Sequence, residues 1–248
     1  MAIQNLIEFA ARYDPVLPER LRGAAAFRMD ELEQLAALRL PPGYRDFLAL
    51  MGAGPEWLQP AGVDLRLEPL LAYYRREPWR PPAGYLKIGL GTRDPFFDIY
   101  LEARRVPEPR VVSMPRGPTA DFATYQRSFR RPLGGSLEEY LSTWAYRSAG
   151  LRRYPQAVRL AGQDTAAGVL AAVAPLLAGF GLEPAAFSSD WVQVFVGDAH
   201  GAIATQFPGS VLAIELAARE APLLRDMQDA LRAAIALPHV FAARPARP

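Results

Sequence analysis

The sequence predicts an α+β protein in which N-terminal helices pack on a mostly antiparallel sheet, followed by a second, small α+β domain. Apolar residues at helical spacing dominate the chain up to Pro78, and three strand candidates separated by turns rich in Gly, Asp and Pro come next. Such turns favour an antiparallel meander over βαβ units. A cluster of charge, Gly and Pro at residues 150–155 then marks a boundary. We therefore expect one domain over residues 1–150 and another over residues 151–248.

The first domain begins with a series of helices. Apolar residues at helical spacing predict the first helix over residues 3–10. A second helix is expected over residues 29–38, with Asp30 as its N-cap and Glu33 completing a capping box. The other helices of this domain are expected at residues 42–51, 68–78 and 136–147, the last opening with Ser136 as its cap and Glu139 three residues later.

The helix over residues 42–51 has clear signals at both ends. Leu40 precedes a proline, which disfavours helical geometry, and Pro42 suits a first helical turn. Gly52 is expected to end the helix in the left-handed conformation. The apolar face expected for this helix consists of Tyr44, Phe47, Leu48 and Met51.

The strand candidates are short runs that are apolar or alternate between apolar and polar residues. In the first domain they cover residues 63–67, 85–90, 96–103 and 110–114. In the second domain we expect strands at residues 156–161, 191–197, 202–207 and 211–217, and helices at residues 165–180 and 221–236. The terminal stretch AARPARP is expected to fray.

Composition limits the chemistry available to the chain. Its 248 residues carry a formal net charge of +2 and no cysteine, which excludes disulfides, thiolate chemistry and Cys-based zinc sites. The two histidines, His200 and His239, leave almost nothing for a His-based metal site. We expect neither a metal nor a cofactor. The N-terminus lacks the positive segment of a secretory signal, and no apolar run approaches ~18 residues, so we expect a cytoplasmic protein that does not enter a membrane.

Catalysis is not expected. Nucleophilic catalysis requires a base beside a Ser, Thr or Cys, and His200 lies in the sequence Gly197-Asp-Ala-His-Gly201, which is typical of a solvated hairpin turn. The segment Pro208-Gly-Ser-Val lacks the second glycine of a nucleophile elbow, and no P-loop is present. The sequence therefore predicts a protein that is not an enzyme.

Residues 30–147 resemble the SUKH superfamily of SMI/KNR-type domains. A Leu-Pro-x-x-Tyr-x-x-Phe-Leu motif precedes a glycine-containing break, then a meander, then a closing Leu-Glu-Glu-Tyr-Leu helix. Gly52-Ala53-Gly54 stands where the family usually has Asn-Gly-Gly, and Asp94-Pro95 stands near the usual Gly-Asp. The matching residues are Leu40, Pro41, Tyr44, Phe47, Leu48, Gly52, Gly54, Ile88, Gly89 and residues 136–141.

The resemblance implies an α+β domain that binds proteins and catalyses nothing. Bacterial members of the superfamily are commonly immunity proteins, which neutralise a cognate toxin, often a nuclease delivered between competing cells. It therefore implies that a toxin, encoded by a neighbouring gene, is the partner. The sequence makes no prediction of oligomeric state.

Two other functions remain open. Eukaryotic relatives of the superfamily suggest an intracellular adaptor or scaffold module. Within residues 102–153 there are 10 arginines and 5 acidic residues, which faintly resembles a nucleic-acid-binding surface. Because the net charge is only +2, binding to nucleic acid is the less favoured alternative.

Aromatic residues and arginines cluster in short segments of the first domain, and these types are enriched at binding hot spots. Phe96 and Phe97 are adjacent in a strand, so they should point to opposite faces. If the partner has a phosphate-binding active site, acidic groups should approach it. The alternative is that the aromatic residues pack in the core or between the two domains. The residues expected to contact the partner are Glu56, Trp57, Arg75, Arg76, Trp79, Asp94, Phe96, Phe97 and Asp98.

Overall fold

A computed structural model of the chain describes residues 2–54, 60, 62–77, 80–81, 83–93, 97–104, 109–116, 129–162, 169–207, 212–235 and 239–241. The chain divides into two compact units, Met1–Trp144 and Ala145–Pro248. Both units combine helices with an antiparallel sheet, which confirms the predicted α+β class. The division falls slightly before residue 150, where the sequence placed the boundary.

The first unit begins with a group of helices that pack against one another. Its helices are α1 (Ala2–Ala11), α2 (Leu17–Arg20), α3 (Ala26–Ala36), α4 (Pro42–Met51), α5 (Leu67–Arg76) and α6 (Leu137–Ala145). Helix α1 contacts α2 and α4, and α3 contacts α4 and α5. Tyr44, Phe47, Leu48 and Met51 are the buried residues of α4, as the sequence predicts.

The sheet of the first unit is an antiparallel meander. Its strands are β1 (Val63–Asp64), β2 (Tyr85–Gly91), β3 (Phe97–Glu102), β4 (Arg110–Pro115) and β5 (Arg131–Gly134), in that order across the sheet. Helix α5 contacts β2. The closing helix α6 begins as expected, because the Ser136 hydroxyl accepts from the Glu139 N–H at 3.1 Å and the Glu139 carboxylate accepts from the Gly135 N–H at 2.9 Å.

The second unit is built on a six-stranded antiparallel sheet. Its strands are β6 (Gln156–Gly162), β7 (Glu183–Pro184), β8 (Val192–Val196), β9 (His200–Thr205), β10 (Leu212–Ala218) and β11 (His239–Phe241), in the spatial order β11-β6-β10-β9-β8-β7. Helices α7 (Val169–Ala178) and α8 (Ala221–Ala234) contribute to a core with one face of this sheet, made of residues such as Leu160, Val173, Ile214 and Met227.

A short segment crosses the other face of this sheet, and we call residues 146–154 the strap. It consists of a π-helical turn, Tyr146–Gly150, and a 3-10 turn, Leu151–Arg153. The Tyr146 hydroxyl donates to the Phe195 carbonyl at 2.9 Å, and the Tyr154 hydroxyl donates to the Gly197 carbonyl at 2.8 Å. The strap therefore supplies hydrogen bonds to one carbonyl of β8 and to one in the turn that follows it.

Two expectations about helix ends are wrong. Helix α3 begins at Ala26, so Asp30 lies inside it and caps nothing. The carboxylate of Asp30 instead accepts from Arg45 at 2.6 Å, and that of Glu33 accepts from the Leu40 N–H at 3.0 Å, which ties α3 to the start of α4. Gly52 has φ −65°, which is not left-handed. A Cβ there would lie 2.5 Å from the Leu48 carbonyl oxygen, so close packing is what requires a glycine.

The remaining differences concern one short helix and the edges of the sheets. Helix α2 has no counterpart in the sequence prediction. The strand expected at residues 63–67 is shortened to β1, because Leu67 begins α5. Strands β5, β7 and β11 have no counterpart in the sequence prediction. All three lie at an edge, and Pro132 and Pro184 are tolerated there because an edge strand leaves half of its N–H groups outside the ladder.

Candidate functional site

Two of the residues expected to contact the partner, Arg75 and Arg76, lie in the C-terminal turn of α5. The helix buries Leu67, Leu70, Leu71 and Tyr74, so its periodicity directs the two arginines away from that face. Basic residues in the last turn also interact favourably with the helix dipole. Helix α5 therefore presents two cations at a defined place.

Arg75 and Arg76 have different surroundings. Arg75 pairs with Glu31 of α3, with 2.7 Å between Arg75 Nε and the carboxylate. Glu31 also accepts from Arg28 at 2.9 Å. The pKa of Glu31 is lowered, and the hydrogen bond from Arg75 is the largest cause. Arg76 is exposed and pairs with none of the residues that the structure describes. Arg76 is thus the more available cation.

The adjacent candidates Phe97 and Asp98 lie at the start of β3 and differ sharply in exposure. Phe97 is half-buried, and the guanidinium carbon of Arg131 lies 5.1 Å from the centroid of its ring. Asp98 has no exposed surface. The expectation that Asp98 offers a carboxylate to a partner is therefore corrected: both faces of β3 are covered from Asp98 onward, so its side chain is enclosed.

Asp98 is the centre of a buried group of charges. Its carboxylate accepts from Lys87 Nζ at 2.6 Å, from Arg116 Nη2 at 2.7 Å and from the Gly91 N–H at 2.9 Å. Arg116 Nη2 also donates to the Gly91 carbonyl at 2.7 Å. We call Lys87, Asp98 and Arg116 the charge centre; it links β2, β3 and the residue that follows β4.

Burial and pairing act in opposite directions in this centre. Desolvation lowers the pKa of Lys87 to about 8, although Asp98 opposes the change. Burial alone would raise the pKa of Asp98, but hydrogen bonds and charge from Arg116 and Lys87 outweigh it, so that pKa lies below its usual value. The aspartate is consequently ionised, and the cations around it are held by a full charge.

Aromatic rings surround the ammonium group. Lys87 Nζ lies 3.6 Å from the ring centroid of Tyr73 and 5.4 Å from that of Tyr100, within the range of cation–π contacts. The Lys87 N–H donates to the Tyr74 hydroxyl at 3.1 Å. Desolvation raises the pKa of all three tyrosines, so their hydroxyls stay protonated.

Five of the expected contact residues lie outside the described part of the chain: Glu56, Trp57, Trp79, Asp94 and Phe96. Their roles stay predictions.

His200 is not the solvated turn residue that the sequence suggested. It begins β9 and is 8% exposed, and its Nε2 lies 2.8 Å from the Phe180 carbonyl oxygen. A carbonyl oxygen only accepts, so Nε2 carries the hydrogen. Among the described residues, no group of three or more His, Cys, Asp or Glu side chains is arranged to hold a metal ion.

The arginines of residues 102–153 are partly engaged within the protein. Arg116 belongs to the charge centre, Arg130 donates to Glu102 at 2.6 Å, and Arg147 donates to Glu215 at 2.9 Å. Guanidinium groups held by carboxylates are less available to phosphates.

Comparison with known proteins assigns the chain to no family. No protein-family model, no curated protein and no solved structure matches the chain. The described helices also include none that is long and apolar enough to pass through a bilayer.

The charge centre was missed by sequence reasoning, although one signal was present. Lys87 is the single lysine among 28 basic residues, and it stands between Leu86 and Ile88 in an apolar strand. A lone cation in such a strand, with Asp98 in the next strand, indicates a buried pair.

Proposed function

We propose that this chain is a cytoplasmic immunity protein that binds and neutralises a cognate toxin through protein–protein contact, without catalysis. The observation that carries the proposal is the first unit: the framed helix α4, the antiparallel meander and the capped helix α6 follow one another in the order that the SUKH resemblance implies. A rigid α+β platform suits stoichiometric binding, because little ordering entropy is lost on association.

The exposed side chains of the first unit support a binding role. Arg76 stands at the end of α5, and Phe27 of α3 is 67% exposed. The guanidinium carbon of Arg28 lies 5.7 Å from the centroid of the Phe27 ring. Arginine and large aromatic residues supply much of the energy at protein interfaces.

The direct test is co-expression of the chain with the products of genes adjacent to its own. We expect one product to be toxic alone, to be tolerated with the chain, and to co-purify with it in a defined ratio. Failure to find any neighbouring product that is both bound and neutralised would remove the proposal.

A matched pair of charge reversals tests where the partner binds. Arg76→Glu changes the exposed arginine of α5, and Arg225→Glu makes the same change on the exposed side of α8. We expect Arg76→Glu to weaken the complex about tenfold or more, and Arg225→Glu to alter it less than about twofold. Equal effects of the two substitutions on affinity would show that the partner binds elsewhere on the chain, and would not contradict the immunity function.

An adaptor or scaffold role is the main alternative. It predicts stable binding to host proteins and no toxic neighbouring gene, so the co-expression experiment separates the two.

A nucleic-acid-binding role is disfavoured by the carboxylate pairing of Arg130 and Arg147. It predicts affinity for nucleic acid that falls steeply with salt.

A further inference from the structure

Lys87 joins α5 to the sheet through two consecutive tyrosines. Its backbone N–H donates to the Tyr74 hydroxyl at 3.1 Å, and its Nζ lies 3.6 Å from the ring centroid of Tyr73. One residue of β2 therefore contacts both tyrosines of the helix that ends in Arg75 and Arg76.

The position of the ammonium group is set by the sheet. Asp98 of β3 accepts from Lys87 Nζ at 2.6 Å, and Asp98 is itself fixed by Arg116 and by the Gly91 N–H. The side chains of Lys87 and Asp98 are both 0% exposed. The Lys87 ammonium group, which faces the Tyr73 ring, therefore has little freedom to move.

Stability alone does not explain a charge at this place. Replacing a buried ion pair by apolar residues of similar volume is often neutral or stabilising, because removing two charges from water is costly. An apolar side chain at position 87 would fill the space, but it would not attract the face of the Tyr73 ring. What the charge adds is attraction for the face of the Tyr73 ring.

The two ends of α5 are held by different means. At its start, the Leu67 N–H donates to the Gly52 carbonyl at 2.8 Å, and Leu67, Leu70 and Leu71 are buried. Tyr73 and Tyr74 follow in the second half of the helix, where Lys87 contacts them, Arg75 pairs with Glu31 and the Tyr74 carbonyl accepts from Arg80. The contacts of Lys87 therefore act on the half that carries the arginines.

We propose that Lys87 is a positioning residue whose ammonium group, held by Asp98, fixes Tyr73 and thereby the C-terminal turn of α5 that presents Arg76 to a protein partner. The identity of the partner rests on the proposed function, whereas the fixing of α5 is a property of the free protein. Other charged or titratable groups around Lys87 in the described chain are Tyr74, Glu77, Tyr100 and Arg116.

The test uses hydrogen exchange of the full chain, with a matched pair of substitutions at position 73. Tyr73→Phe keeps the aromatic face above the ammonium group, and Tyr73→Leu removes it. We expect amides of residues 74–77 to exchange about tenfold faster in Tyr73→Leu, to stay near the wild-type rate in Tyr73→Phe, and amides of β3 and β4 to be unchanged in both. Equal exchange in the two variants would overturn the proposal.

Lys87→Met provides the second variant, in case Tyr73→Leu does not fold. Asp98 keeps Arg116 and the Gly91 N–H in this variant, so no orphaned carboxylate is left in the core. We expect the same faster exchange at residues 74–77. Wild-type exchange at these residues would contradict the proposal.

Affinity for the neutralised toxin separates this proposal from the function on which it rests. We expect Tyr73→Leu to bind about tenfold more weakly than Tyr73→Phe at equal thermal stability. If no toxin is found but the amides of residues 74–77 exchange faster in Tyr73→Leu, the immunity function fails and the proposed role of Lys87 in fixing α5 is supported. If a toxin binds both variants equally, the immunity function stands and the positioning role is overturned.

Discussion

Ala37 ends α3 in a conformation that costs free energy. Its φ of 50° and ψ of 39° are left-handed, and its N–H bonds back to the carbonyls of Glu33 and Gln34. A Cβ makes this conformation unfavourable by about 1–2 kcal/mol, whereas glycine adopts it freely.

We expect Ala37→Gly to raise the free energy of unfolding by about 0.5–1 kcal/mol, since the greater entropy of glycine in the unfolded chain offsets part of the gain. Urea denaturation measures the change. Ala36→Gly is the control, because Ala36 is the last helical residue of α3 and should lose up to ~1 kcal/mol instead. A lower midpoint for Ala37→Gly would contradict the explanation.

Lys87 gives the protein a pH dependence of defined sign. Its pKa is about 8 in the folded chain against an ordinary value of 10.5, so the folded chain releases this proton first. Between these values the unfolded chain binds more protons, and stability contributed by Lys87 therefore rises as the pH increases.

We expect the free energy of unfolding of the wild type, relative to Lys87→Met, to increase by on the order of 1–2 kcal/mol between pH 7 and about pH 9.5. Urea denaturation of both proteins at both pH values measures it. The tyrosines are common to the two proteins, so their titration cancels. A difference that stays constant with pH would show that Lys87 keeps its ordinary pKa.

The strap illustrates how one element depends on a glycine in another. A Cβ on Gly201 of β9 would lie 2.0 Å from the Tyr146 hydroxyl, so the strap can cross the strand only where the side chain is missing. The same hydroxyl donates to the Phe195 carbonyl of β8. The sequence contains both residues, but it gives no sign that they meet.

We expect Gly201→Ala to destabilise the chain by about 1–3 kcal/mol through overpacking. Tyr146→Phe removes the oxygen that a new Cβ would meet. The double variant should therefore lose less stability than the sum of the two single variants, by about 1 kcal/mol in a double-mutant cycle. Simple additivity would mean that the strap moves aside in Gly201→Ala.

Strands show where sequence reasoning succeeds and where it stops. The central strands β2, β3, β4, β6, β8, β9 and β10 were predicted, because their residues are buried and apolar or alternating. The edge strands β5, β7 and β11 have two to four residues each and carry little apolar pattern. These short strands form because they hydrogen-bond to a neighbouring strand, and that neighbour is brought beside them only when the chain folds.

At the scale of the whole molecule, the second unit has its own core and its strap. We expect a fragment of residues 145–248 to fold cooperatively, because Leu160, Ile214, Met227 and their neighbours form a contiguous buried cluster within it. Circular dichroism during urea denaturation measures this. A non-cooperative transition would contradict it.

A shorter fragment serves as the control for the strap. Residues 155–248 keep that core and lose the hydrogen bonds from Tyr146 and Tyr154 and the Arg147–Glu215 pair. We expect it to be less stable than the longer fragment by about 2 kcal/mol or more, because the Phe195 and Gly197 carbonyls lose their donors. Equal midpoints would assign the strap no role in stability.

The candidate site was only partly accessible to sequence reasoning. Arg75 and Arg76 were placed on a helix end, which the periodicity of residues 67–76 determines. Asp98 was expected outside and is buried, because burial of a carboxylate depends on which cations reach it. Lys87 lies in β2 and Arg116 follows β4, and no local pattern connects them.

The sequence by itself determined the longer helices and the central strands, the buried face of α4 and the capped start of α6, because each depends on residues that are close together in the chain. The short helix α2 and the start of α3 were not predicted. Only the tertiary structure decided the edge strands, the contact of the strap with Gly201 and the approach of Lys87 and Arg116 to the Asp98 carboxylate. Those features join residues far apart in the chain, and their free energies depend on distance and desolvation, which arise only when the folded chain excludes water.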